Sequence, residues 1–243
     1  NSWRELCRLR TVYFNNWKWS VIMNKKCFIL ILTLMVSSCS ITKNAGNAQV
    51  KGNGNLASEI RELSKFKAIE IAIGYDKIIV NCGQEPSIHI SGDENILPLI
   101  TTRISKGILT IESDSTFKTK SDSEIIINVE SIEDFTFDGV GKTVIHNLNE
   151  DKFNCNINGV GSCELKGKVE SFYVSVNGVG SVNARQLIAD DVVANLNGVG
   201  SVKLYAKNSL NASVNGVGGL TYFGNPTELI LNDSGIGGIT KGD

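Results

Sequence analysis

From Phe135 onward, apolar residues fall at every second position, and the alternation restarts at a fixed interval. One set of apolar positions holds Phe135, Cys155, Val174, Ala194, Ala212 and Leu231. Two residues on stand Phe137, Ile157, Val176, Leu196 and Val214, with Asp233 as the exception. Polar Thr136, Asn156, Ser175, Asn195, Ser213 and Asn232 lie between them. Alternation with period two predicts strands with one buried face. Each strand ends in a Gly-Xaa-Gly turn, and the pattern then resumes with Cys163, Val182, Val202, Leu220 and Ile239 in one column. Leu165, Ala184 and Leu204 form the next.

The turns are close copies. Asn-Gly-Val-Gly starts at Asn158, Asn177, Asn197 and Asn215, so the paired glycines are Gly159 and Gly161, Gly178 and Gly180, Gly198 and Gly200, Gly216 and Gly218. Looser copies carry Gly139 with Gly141 and Gly235 with Gly237. The first glycines are 20, 19, 20, 18 and 19 residues apart. Asn-Gly is also a strong hairpin signal, so a meander of hairpins competes. A near-constant period with identical turns instead predicts coils stacked on themselves. The expected fold is all-β: a right-handed parallel β-helix of about 19-residue coils, each with three short strands. The four asparagines are expected to form a hydrogen-bonded ladder. Val140, Val160, Val179, Val199, Val217 and Ile236 are expected to form an apolar corner column.

The segment from Phe66 to Phe137 alternates as well, through Ile69, Ile71 and Ile73, Ile78 and Val80, Ile88 and Ile90, and Ile125, Ile127 and Val129. These strands should open the same domain. A brief helical turn is expected over 94–100, capped by Asp93 and shortened by Pro98. A loop is expected over 113–123.

Residues 23–38 carry two lysines, an apolar run from Cys27 to Val36, and small residues before Cys39. This is a secretory signal with Met23 as its start; ten apolar residues are too few to span a bilayer. Val36-Ser37-Ser38-Cys39 resembles the bacterial lipobox. That resemblance implies a lipid on Cys39 and a palmitate-type acyl chain on the new amino terminus. An ordinary signal peptide ending near a cysteine is the plainer alternative. Acyl chains would hold the protein stably at a membrane. Residues 1–22 are set apart as upstream sequence translated in error, or else an extension. Residues 39–57 are expected to be a flexible tether, and residues 58–243 the β-helix domain.

Removal of residues 1–38 takes the net charge from −1 to −6, with 18 basic and 24 acidic side chains remaining. No basic tract favours nucleic acid. Cys82, Cys155 and Cys163 remain in the domain. Cys155 and Cys163 occupy inward columns and are expected to be free thiols, with a bridge in an oxidising periplasm as the alternative. No cysteine or histidine spacing suggests zinc.

The chain is similar to the head GIN domain family, a bacterial group labelled auto-transporter adhesins. The similarity rests on Phe66-Lys67-Ala68-Ile69, Gly92-Asp93-Glu94-Asn95-Ile96-Leu97, Lys106-Gly107-Ile108-Leu109-Thr110-Ile111 and the Gly-Xaa-Gly series, over about residues 60–240. Family members mostly carry Ser where this chain has the turn asparagines. The resemblance implies an all-β, partly β-helical domain in secreted or lipid-anchored proteins, and no catalytic residues.

Other motifs are weaker. Gly139-Val140-Gly141-Lys142-Thr143 mimics the end of a phosphate loop, but Thr136 stands where the motif needs glycine and Val144-Ile145 is strand-like. A dinucleotide-binding glycine pattern lacks its spacing and its helix. One aspartate, Asp138, heads the asparagine column, too little for calcium. Asp190 with Asp191, and Glu164 with Glu170, are the carboxylates that a carbohydrate-active β-helix enzyme, a polysaccharide lyase or hydrolase, would use. His89 and His146 are expected on the surface. No cofactor or metal site is expected. The leading expectation is a non-enzymatic, lipid-anchored binding or adhesion module. It would sit in the bacterial outer membrane, on the periplasmic side, facing a glycan or an envelope protein. Self-association as a structural envelope protein is the further alternative.

Overall fold

The computed structural model describes residues 49–243; the signal sequence and Cys39 lie outside them. The chain enters through β1 (Val50–Lys51) and β2 (Leu56–Glu62), followed by β3 (Ala68–Ile71), β4 (Gly74–Cys82) and β5 (Ser87–Asp93). A 3-10 turn at Leu97–Leu99 leads to β6 (Thr101–Ser105), β7 (Ile108–Glu112), β8 (Phe117–Lys118), β9 (Glu124–Val129) and β10 (Asp134–Phe137). Four long strands then each trace a coil: β11 (Val140–Ile157), β12 (Val160–Val176), β13 (Val179–Leu196) and β14 (Val199–Val214). A last coil is completed by β15 (Val217–Phe223), β16 (Glu228–Asp233) and β17 (Ile236–Lys241).

The long strands pair in parallel with their successors, Val140 beside Val160, Val160 beside Val179, and Val179 beside Val199. The molecule is a β-solenoid of about five turns with additional N-terminal strands. Three separate short strands per coil were expected. Instead, one hydrogen-bonded run of 16–18 residues bends through the rest of each coil. Register slips between Ile145 and Leu148 and between Glu164 and Lys166 take up the bends, as bulges do. Asn147 and Gly167 adopt positive φ there.

The N-terminal strands extend the two walls of the solenoid. One wall continues through β10, β3, β7 and β6, the other through β11, β4, β9, β5 and β2. Pairing is parallel until the last strands, where β6 with β7 and β5 with β9 and β2 turn antiparallel. The core lies between the walls. Ile69, Ile71, Leu109, Ile111, Phe135 and Phe137 face Ile78, Val80, Ile88, Ile90, Ile125 and Ile127, all buried. Each such side chain contributes roughly 1.5–3 kcal/mol relative to exposure. Further up, the rings of Phe153 and Phe172 stack at 6.2 Å, and Val192 and Leu210 continue their column.

Three local expectations are corrected. The stretch expected as tether joins the fold from Val50, because β1 pairs with β8 and β2 with β5. The same pairing places a strand at Phe117–Lys118, inside the expected loop. Asp93 does not cap the turn, whose first residue has no side-chain cap. Its fully buried carboxylate accepts hydrogen bonds from the backbone nitrogens of Gly54 (2.7 Å), Lys120 (2.6 Å) and Ser121 (3.2 Å), and from Ser121 Oγ (3.1 Å). It ties the entry segment to the 118–121 stretch.

Candidate functional site

The corner at each Asn-Gly step is built from short contacts between coils. Backbone nitrogens of Asn177 and Gly178 both donate to the Ile157 carbonyl, and Val179 N donates to the Gly159 carbonyl; the same set recurs at Asn197 and Asn215. No corner amide in these steps is left without a partner. The glycines permit the approach. A Cβ on Gly161 would overlap the Gly141 carbonyl oxygen, and one on Gly218 the Gly200 carbonyl oxygen.

The asparagine side chains run along the corner in one direction. Asn158 Nδ2 donates to Asp138 Oδ1 at 2.8 Å, Asn177 to Asn158 at 2.9 Å, Asn197 to Asn177 at 3.0 Å and Asn215 to Asn197 at 3.0 Å. Ser234 Oγ donates to Asn215 Oδ1 at 2.8 Å. Asp138, an acceptor only, starts the chain, and a hydroxyl donor ends it.

The valine column does stand at this corner, but it faces outward. Val140 is 58% exposed, Val160 49%, Val179 51%, and Ile236 72%. The parity of the strand requires this: the glycines on either side take the inward phase, so the residue between them shares the outward phase with the asparagine.

Counted outward from the corner, five columns share one property. Asn154, Tyr173, Val193, Asn211 and Ile230 form the first, and Asn156, Ser175, Asn195, Ser213 and Asn232 the second. The asparagine ladder from Asn158 to Ser234 is the third, and the ridge from Val160 to Ile236 the fourth. Ser162, Ser181, Ser201, Gly219 and Gly238 are the fifth. Over these five coils all point outward, half-buried or exposed, and none is charged, in a chain that is 20% charged; one coil below, the same columns carry Asp134, Asp138 and Lys142. Charges return at once on both sides. Lys152, Asp191 and Glu228 border the panel at one edge; Glu164 and Lys203 border it at the other. Lys152 sits 5.0 Å above the ring of Tyr173, which is 42% exposed.

The candidate carboxylates do not converge. Asp190 pairs with Lys207 at 3.2 Å, and Asp191 accepts from Ser209 Oγ at 2.6 Å. Glu164 pairs with Lys166 at 3.0 Å. That hydrogen bond, with the nearby lysines and His146, holds the Glu164 carboxyl below its usual range against the effect of burial. Glu170 is exposed. His89 and His146 are half-buried on the outer faces of β5 and β11. Lys142 is exposed, and the neighbouring Thr143 is fully buried between Ile78 and Cys163 of the same inward column. Among the described residues no group of three or more His, Cys, Asp or Glu side chains could hold a metal ion.

Cys82, Cys155 and Cys163 are free and buried. A hydrogen bond with Cys155, then burial, pushes the Cys163 thiol well above its ordinary pKa; burial pushes Cys82 up to about 12. Both are inert hydrophobes at neutral pH.

Two concavities flank the base of the solenoid. One, of about 560 Å³, is lined by Lys65, Lys67, Lys106, Glu130 and Asp134, among others; Lys65 pairs with Glu130 at 2.7 Å and Lys67 with Glu133. The other, of about 580 Å³, runs between Phe117–Thr119 and the foot of the valine ridge at Val140 and Val160. Neither gathers the side chains of a reaction centre. Sequence inspection did not single out the panel, although its outward columns can be counted once the inward ones are fixed.

The fold and this surface define a β-solenoid scaffold whose distinguishing surface is an uncharged panel along one corner. The chain belongs to the family described as "putative auto-transporter adhesin, head GIN domain", whose model matches residues 65–226. Two solved structures described as "putative adhesin" share its fold. One, from Bacteroides fragilis NCTC 9343, is 24% identical with a TM-score of 0.67, over 79% of this chain and 99% of that one. The other, from Parabacteroides distasonis ATCC 8503, is 18% identical with a TM-score of 0.50, over 80% of this chain and 100% of that one. No curated protein matches the chain.

Proposed function

We propose that this protein is a non-enzymatic binding module of the bacterial cell envelope. It is anchored by lipid at Cys39 and engages another macromolecule through the uncharged panel. The observation that carries the reading is the panel itself: five outward columns without a charge, bounded on both sides by charged ones. Charge is depleted at the centre of binding surfaces because an unpaired ion is costly to desolvate. The family's adhesin description supports a surface-binding role. Asp190, Asp191 and Glu164 are each engaged by a different neighbouring side chain, which supports a non-enzymatic reading over a hydrolase or lyase built on them.

Anchoring is supported by the lipobox-like end of the signal sequence. No acidic residues follow Cys39 in Ser40-Ile41-Thr42-Lys43-Asn44, which favours the periplasmic side of the outer membrane. Two measurements test the proposal. Cys39→Ala should move the protein from the membrane to the soluble fraction; continued sedimentation with membranes would refute the anchor. Asn195→Lys, which puts a charge mid-panel, should abolish retention of envelope material by the immobilised protein. Unchanged retention would refute the panel as the binding face.

A further inference from the structure

We infer that the partner of the panel is a second copy of this chain, so that the protein forms a two-fold dimer with panel against panel. The inference rests on the reading of the panel as the binding face and names its occupant.

Four observations converge on this. The first is size. Five coils at about 4.8 Å and nine residues of contour at about 3.3 Å give a footprint of roughly 700 Å² before side-chain relief is counted, against about 800 Å² per partner in a standard interface. The columns hold about two dozen side chains, within the roughly 20–30 residues a side of a stable interface.

The second is the state of the amides. Each ladder asparagine from Asn158 to Asn215 already gives one hydrogen bond and receives one along the corner. The second N–H of each amide stays open, so each coil presents a polar donor at the same spacing as the facing amides of a second copy.

The third is relief. Val160, Val179, Val199, Val217 and Ile236 repeat at the coil spacing and are 46–72% exposed. A second copy carries the same spacing, so the ridge of one can seat between the columns of the other. Identical patches in contact require a two-fold axis. Tyr173, half-exposed at the margin, is the residue type enriched at the anchors of such contacts.

The fourth is the position of the chain entry. Gln49 shares a hollow with Val140 and Phe117 at the foot of the ridge. A two-fold axis along the stack places both Gln49 residues at the same end, as two chains leaving one membrane require.

The test uses the full chain in bacterial cells with a benzophenone amino acid in place of Val179, and of Lys168, exposed beyond the bend of β12, as a control. Irradiation should give an adduct of twice the protein's mass from position 179 and none from 168. Asn195→Lys should remove at least nine-tenths of it while leaving the far-ultraviolet circular dichroism of the purified protein unchanged. An adduct from position 179 with a different protein, or a heterogeneous glycan-like smear, would overturn the dimer and leave the binding face intact. The absence of any adduct from position 179 would overturn both.

Discussion

Asn177 donates its Nδ2 hydrogen to Oδ1 of Asn158 at 2.9 Å, and its own Oδ1 receives Asn197 at 3.0 Å. Each asparagine is thus both giver and receiver, which aspartate cannot be. Asn177→Asp should cost about 1–2 kcal/mol, because it sets two acceptors against each other at Asn158. Chemical denaturation measures this, and a variant as stable as the parent would mean the ladder contributes nothing. Deamidation should be slow at the same step in the folded protein. The attacking nitrogen, Gly178 N, is held by the Ile157 carbonyl at 3.2 Å. Peptide mapping after ageing, native against denatured, would reveal the difference.

The glycines divide into two kinds, and substitution should separate them. A Cβ on Gly161 meets the Gly141 carbonyl oxygen of the coil below, whereas one on Gly107 meets nothing within 4 Å. Gly107 still has φ of +77°, so Gly107→Ala should cost about 1–2 kcal/mol from backbone strain alone. Gly161→Ala should cost more than about 4 kcal/mol, since backbone must move to relieve it. Equal losses in thermal unfolding would contradict the close stacking of the corner.

Thr143 stands in an inward column otherwise filled by Cys163, Val182, Val202 and Leu220. Its Oγ1 is buried without a hydrogen-bond partner. Thr143→Val replaces that hydroxyl by a methyl and should stabilise by about 1 kcal/mol. For a domain of this size the melting temperature should rise roughly 2–4 °C. A fall would show that the hydroxyl has a partner.

Asp93 makes stability depend on acid. Burial opposes its ionisation, yet hydrogen bonds from Lys120 N, Ser121 N, Gly54 N and Ser121 Oγ outweigh this and hold its carboxyl below the ordinary 3.8. The unfolded chain therefore takes up the proton first. The contribution of Asp93 is complete above about pH 4 and is lost as pH falls through the lower folded value. Asp93→Asn turns an N–H toward other N–H groups and should cost about 2–3 kcal/mol near neutrality. It should also flatten the acid limb of the stability curve. A variant with the parental acid limb would assign that limb to other carboxylates.

Much of the fold was legible because two periods overlap. Period two sets the inward phase at Val174 and Val176, and the interval of about 19 residues stacks those positions on Ala194 and Leu196. What misled was residue identity set against phase. Val179 looks like core, but it lies one residue beyond Gly178 and therefore points out. The entry at Val50–Lys51 was hidden for a different reason. Its partner, Phe117–Lys118, is more than sixty residues away, and local composition carries no trace of such a pairing. Asp93 was misassigned because a helix cap and a buried hub call for the same side chain in the same sequence context. The panel is a pattern of absence across five coils, visible only after the columns are aligned.

The asparagine rail has a beginning that only accepts and an end that donates, while every link between is interchangeable. A whole coil inserted or deleted in the middle would leave both ends and every remaining link satisfied. The length of the stack, and with it the extent of the uncharged surface, is therefore free to vary by gene duplication in units of one turn, without redesign of either terminus.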